Sequence, residues 1–119
     1  MTKNEIIVKK SRFIGYCVNI ENEQQAKEYV EFIRQKENDR HVCYAYFTNT
    51  SAGFSDDGEP KGTAGKAIYS LMQLKKITNT IVIVARYFGG IKLGAGGLTR
   101  AYRECANEVI NLHLNNIQR

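Results

Sequence analysis

The segment TIVIVARYFGGIKLGAGGLTRAYRE, residues 80–104, sets the architecture. Its first part, residues 80–88, is a continuous apolar and β-branched run. Such a run reads as a strand buried on both faces and central in its sheet. Between Arg86 and Glu104 the chain then carries five glycines, four basic side chains and a single acid at the very end. From about Leu98 the positions Ala101, Tyr102, Cys105, Ala106 and Val109 repeat at helical spacing, so a helix follows. A strand, a glycine-rich loop and a helix in this order form a common ligand-binding corner of α/β sheets.

Working upstream, "SDDGEPKGTAG" is a break. Asp-Gly is strong turn chemistry, and Pro60 has no N–H for a strand ladder. Thr63 is placed to cap a second helix whose buried stripe is Ala67, Ile68, Leu71 and Met72, and Asn79 ends that segment. Residues 41–48 alternate, with Val42, Tyr44 and Tyr46 on one face and His41, Cys43, Ala45 and Phe47 on the other. Phe54 marks a short partner strand. Asn22 caps a first helix with the stripe Ala26, Tyr29, Val30 and Ile33. Residues 5–20 are strand-like, interrupted at residues 9–11 by a turn or bulge. The expected fold is of the α/β type, an α+β two-layer sandwich. Its sheet is mixed, with about four or five strands, and helices pack against it.

With 119 residues and 43% apolar content the chain is long enough for one domain with its own core. Cys17, Cys43 and Cys105 are odd in number and form no C-x-x-C pair, which reads as reduced thiols in a cytoplasmic protein. The N-terminal residues lack the apolar core of a signal peptide, and no apolar run approaches a membrane span. The formal net charge is +5 and it is unevenly spread. Residues 21–40 hold six acids, among them Glu37 and Asp39, against four bases, whereas residues 60–103 hold eight bases and no acid. A one-signed span of that length favours anions, although a solvated basic face is the plainer reading.

Two glycine-rich turns each lead into a helix: GEPKGTAGKA and FGGIKLGAGGLTRA. Helix N-termini present unpaired amides and a positive dipole end, and glycine lets an anion reach the backbone. The candidate anion or nucleic-acid set is Lys66, Arg86, Gly89, Gly90, Lys92, Gly94, Gly96, Gly97 and Arg100. The competing reading is that the glycines serve tight turns and close helix–strand packing. Neither a P-loop nor a G-x-G-x-x-G with a following acid can be read. Asp56, Asp57 and Glu59 could hold Mg²⁺ or tune a catalytic carboxyl, but they fit better as turn and cap residues. They could also pair with Arg86 or Arg100 and so order both loops. His41 and Cys43 share a strand face without a third ligand or an orienting partner, so a packed thiol beside a hydrogen-bonded imidazole is expected. His113 looks incidental. Tyr44, Tyr46 and Phe47 could stack bases, with core packing the default for at least half of them.

The motifs SDDGEPKGTAGKAI and VIVARYFGGIKLGAGGLTRAY, with KKSRFIG and HVCYAYF upstream, resemble the core of the IMPACT/YigZ family. The resemblance covers roughly residues 10–109. It implies the α/β fold shared with domain IV of elongation factor G. Bacterial members usually carry a second, smaller domain, so residues 1–119 are expected to be one IMPACT/YigZ-type domain without it. The family surface carried onto this sequence comprises Asp56, Asp57, Gly58, Glu59, Pro60, Gly62 and Thr63, together with Arg86, Tyr87, Gly89, Gly90, Gly94, Gly97 and Arg100. The first group is expected to order its loop. The implied role is regulation of translation, or binding to RNA or the ribosome. Eukaryotic relatives bind the activator of a starvation-sensing kinase, which implies a translation-regulatory protein partner as a further reading. An enzyme holding a small phosphate compound or nucleotide is the other alternative. No catalytic residue, metal or cofactor is expected.

Overall fold

The computed structural model describes residues 1–38 and 40–117. Asp39, one of the six acids counted above, lies outside them. Eight elements follow in chain order: β1 (Thr2–Val8), β2 (Ser11–Asn19), α1 (Glu23–Lys36), β3 (His41–Phe47), β4 (Ala52–Ser55), α2 (Gly65–Leu74), β5 (Thr80–Tyr87) and α3 (Gly94–Ile117). The α+β class and the strand count are as expected.

The interruption at residues 9–11 is a tight hairpin. Val8 pairs with Ser11, and Lys9 and Lys10 both take positive φ, 46° and 70°. Two left-handed residues give the turn whose twist matches the strands it joins. Asn22 caps α1 as expected, its side chain accepting from the Gln25 amide at 2.9 Å.

The strand order is β1-β2-β5-β3-β4, and every pairing is antiparallel. This corrects the mixed sheet. The strand–helix–strand steps do run β2 parallel to β3 and β4 parallel to β5. In each case an antiparallel strand is inserted between the two, β5 in the first and β3 in the second, so no parallel pair shares hydrogen bonds.

The layer count also differs from the expected two. Val82 and Val84 of β5 pack with Ile68, Met72, Tyr102, Ala106 and Val109 of α2 and α3. Ile81, Ile83 and Ala85 pack with Ala26, Val30 and Ile33 of α1 on the opposite face. Three layers result, with β5 in the middle. Residues 80–86 are all buried, which is why the run lacks alternation. Fully burying each large aliphatic side chain contributes about 1.5–3 kcal/mol, so this strand anchors both cores.

The helix after the glycine loop begins at Gly94, four residues before the expected Leu98. Gly96 and Gly97 are poor helix formers, but they stand in the first turn of a 24-residue helix whose inward face is buried. Among the described residues no helix is long and apolar enough to cross a membrane.

Candidate functional site

The loop between β4 and α2 is organised by its acids. The Asp56 carboxylate accepts from the amides of Gly62 at 2.9 Å, Ala64 at 3.1 Å and Lys66 at 3.2 Å. It thereby caps α2, whose N-cap residue, Ala64, makes no side-chain capping bond. The expected cap, Thr63, instead donates its hydroxyl to the Pro60 carbonyl at 2.6 Å. Asp57 accepts from the Val42 amide at 2.7 Å and from Arg34 at 3.2 Å. Its φ of 41°, with Gly58 at 81° and Gly62 at 84°, folds the loop back on itself.

Glu59 is turned inward, its side chain 3% exposed. Arg86 donates to it twice, from Nε at 2.5 Å and from Nη2 at 2.7 Å, and the Tyr102 hydroxyl donates to the same carboxylate. Burial pushes the Glu59 carboxyl upward. The bonds from Arg86 and Tyr102 outweigh it and hold the group below the usual range. Of the two roles open to Arg86 in the sequence, facing an anion or pairing with an acid, its Nε and Nη2 take the second. Arg86 binds α2's approach loop to the central strand, and Tyr102 adds α3.

His41 and Cys43 are both engaged beside this pair. The His41 Nδ1 donates to the Asp57 carbonyl at 2.8 Å, and the Cys43 thiol reaches the Asp56 carbonyl at 3.2 Å. Burial pushes the Cys43 thiol up to about 12, far from a nucleophilic thiolate. Cys17 and Cys105 are likewise buried and pushed up to about 12. Tyr46 is buried against α1 and Phe47 stacks on Tyr69 at 4.7 Å, so neither is open to a base.

The glycines divide into two kinds. A Cβ on Gly65 would stand 2.0 Å from the Ser55 carbonyl oxygen, and one on Gly89 would stand 2.1 Å from that of Lys10. These two glycines let backbone meet backbone; the Gly89 amide also donates to Ser11 at 3.2 Å. Gly90 and Gly94 take positive φ, 94° and 73°, with nothing within 4 Å of an added Cβ. Gly96 is also open, its nearest neighbour being the Arg100 Nη1 at 3.5 Å. A Cβ on Gly97 would meet only Leu93, at 3.1 Å.

The basic candidates therefore do not converge on one point. Arg86 faces inward, Lys92 is exposed on the loop, and Arg100 lies back over the first turn of α3. Lys66 sits over the rings of Phe54 and Tyr69, 5.3 Å from each. Arg100, Arg103 and Glu104 of α3 and Lys75, the residue that ends α2, line a groove of about 540 Å³ between the helices, with Leu71 and Leu74 as its apolar part. Neither helix has an acid in its own first turn; the start of α2 is compensated by the Asp56 carboxylate from the preceding loop.

Some contacts were not readable in advance. Glu37 is 4% exposed and accepts from the hydroxyls of Tyr16 at 2.7 Å and Tyr87 at 2.5 Å. It directly follows the last turn of α1, where periodicity gives no sign of burial. His113 is no bystander: its ring contacts Thr2 at 3.1 Å and Asn19 at 3.0 Å, tying α3 to β1 and β2.

Comparison with known proteins agrees with the fold. The family model described as the Impact N-terminal domain matches residues 9–110. The IMPACT family member YvyE of Bacillus subtilis (strain 168) is 40% identical over 98% of this chain and 55% of its own length. The chain thus spans about half the length of the curated relatives it matches. A crystal structure of a hypothetical protein superposes with a TM-score of 0.87 at 35% identity, covering 92% of this chain and 56% of that one. The two-domain translational regulator Yih1 superposes with a TM-score of 0.58 at 25% identity, covering 91% of this chain and 46% of the other.

Proposed function

The chain belongs to the family of Impact N-terminal domains, and from that premise we propose that it is a non-enzymatic, translation-linked regulatory domain. It binds RNA or the ribosome through the cationic surface shared by α2 and α3. One observation carries the reading: Lys75, Arg100 and Arg103 line a single groove and outnumber its acid, Glu104, and residues 60–103 contain no acid. Lys66 and Lys92 extend the same charge toward the helix starts. The likeness to a protein called a translational regulator supports the biological context, and the three buried free thiols suit the reducing cytoplasm.

Binding of this kind is sequence-tolerant, because no base-reading motif accompanies the charges. With about three to five phosphates contacted, affinity for a short RNA falls about tenfold to a thousandfold between 50 and 200 mM salt. Fluorescence anisotropy of a labelled RNA across that range tests it, and reversing Lys92 and Arg100 to Glu flattens the slope. RNA binding that ignores salt overturns the reading.

A protein partner is the second reading, favoured by Leu74, which is 70% exposed at the edge of the same groove. A partner seated on that leucine is lost on Leu74→Asp and is insensitive to salt.

A further inference from the structure

A second cationic feature lies away from the α2–α3 groove and includes side chains that no sequence motif singled out. At the C-terminal end of β5 a cleft of about 410 Å³ is lined by Arg34, Arg40, His41, Asp57, Arg86 and Phe88. These come from the last turn of α1, the entry to β3, the β4–α2 loop and the end of the central strand. Among the described residues, three arginines line it with the carboxylate of Asp57, and Glu59 lies behind Arg86.

The Arg86 side chain is nine-tenths buried, yet its donors are not used up. Nε and Nη2 serve Glu59, whereas Nη1 meets no acceptor among the described residues. Arg86 lines the cleft, and 9% of its side chain remains exposed. Glu59 thus holds a guanidinium rigidly while one of its edges faces outward, which is the preorganisation an anion site needs. Arg40 is held over the Tyr87 ring at 5.1 Å, and Arg34 is steered by Asp57 at 3.2 Å. Phe88 is 56% exposed at the mouth, its ring 5.8 Å from the Arg86 guanidinium. An exposed ring beside a fixed cation offers a flat group a stacking surface.

We propose that this cleft binds the terminal phosphate monoester of a nucleotide, with the attached base lying on Phe88. The nucleotide is either free or the end of an RNA strand. An internal diester offers two non-bridging oxygens and one charge. A monoester offers three oxygens and close to two charges, a better match for a cleft lined by three arginines. The volume lies within the range of small-ligand clefts. None of the cleft residues lines the α2–α3 groove, so this site stands or falls separately from the RNA surface proposed above.

The test is an amide and arginine-Nε NMR titration of the whole chain with four probes: 5′-AMP, adenosine, a short 5′-phosphorylated RNA and the same RNA with a 5′-hydroxyl. Phosphorylated probes are expected to shift His41, Phe88 and the Arg86 Nε, and to bind at least tenfold more tightly than their phosphate-free counterparts. Phe88→Ala and Arg40→Gln, which leave the Glu59–Arg86 pair in place, each weaken that binding at least fivefold. Arg100→Glu leaves 5′-AMP binding unchanged. A response to phosphorylated RNA without one to 5′-AMP identifies an RNA end as the source; a response to both admits the free nucleotide. Silence of the cleft signals with both phosphorylated probes at millimolar concentration overturns the proposal. So do equal affinity for adenosine and 5′-AMP, and binding unchanged in the Phe88 and Arg40 variants.

Discussion

Arg86 Nε stands 2.5 Å from one oxygen of Glu59 and its Nη2 stands 2.7 Å from the other, in an interior where both side chains are less than one-tenth exposed. The pair joins the central strand to the loop that starts α2, and Tyr102 closes it from α3. Removing one partner leaves the other charge buried and uncompensated. Glu59→Gln is therefore expected to cost about 3–5 kcal/mol in urea unfolding. The same pair replaced together, Glu59→Leu with Arg86→Met, is expected to recover a large part of that loss. A double variant that loses as much as the two single substitutions added together would show that the two residues are not energetically coupled.

Asp56, one of the acids expected to cap, holds the start of α2, and Thr63 does not, so their substitutions separate accordingly. Asp56→Ala removes an acceptor shared by three amides at the start of α2 and is expected to cost about 1–2 kcal/mol. Thr63→Ala removes a single hydroxyl bond to Pro60 and is expected to cost about 0.5–1.5 kcal/mol. Thermal melts that rank the two the other way would return the cap to Thr63.

Much of this was legible beforehand. The run at residues 80–88 announced a strand buried on both faces, which holds for residues 80–86, whereas Phe88 lies beyond the strand and is exposed; Asn22, the Ala26–Ile33 stripe and the Ala67–Met72 stripe each announced a helix. Strand direction was not legible, because helical connections are equally compatible with adjacent parallel strands and with parallel strands split by a third. The Glu59–Arg86 pair was one of several options, since 27 positions separate the two and no periodicity links them. Arg34 and Arg40 join Phe88 at one cleft only through tertiary folding, and neither arginine lies in a pattern that sequence alone marks.

Acid should destabilise the protein in two steps. The His113 ring is held below its usual 6.5 by burial and then by the nearby N-terminal amine. The unfolded chain therefore takes up that proton first, and stability falls as pH drops from about 6.5 toward the folded-state value. Glu59 is held below 4.5, so its contribution is complete above that pH and is lost as pH falls through the lower folded-state value. Urea midpoints measured from pH 8 to 3 should show both steps. The upper one should vanish in His113→Gln and the lower one in Glu59→Gln.

Glycines 89 and 96 should respond oppositely to alanine. Gly89→Ala forces a Cβ onto the Lys10 carbonyl at 2.1 Å, a backbone clash expected to cost about 1–3 kcal/mol. Gly96→Ala enters open space in the first turn of α3 and is expected to be neutral or to stabilise by up to about 1 kcal/mol. Equal destabilisation in both would mean that the first turn of α3 is packed more tightly than it is described here.

The central claim is that the surface of α2 and α3 brings this domain to the translation machinery, and co-sedimentation with ribosomes tests it most directly. The wild-type chain should pellet with ribosomes at 50 mM salt and be released by 200 mM. A folded Lys75→Glu, Arg100→Glu, Arg103→Glu variant should stay in the supernatant at both. Wild-type protein that stays in the supernatant at low salt, or a triple variant that pellets as well as wild type, would contradict the account.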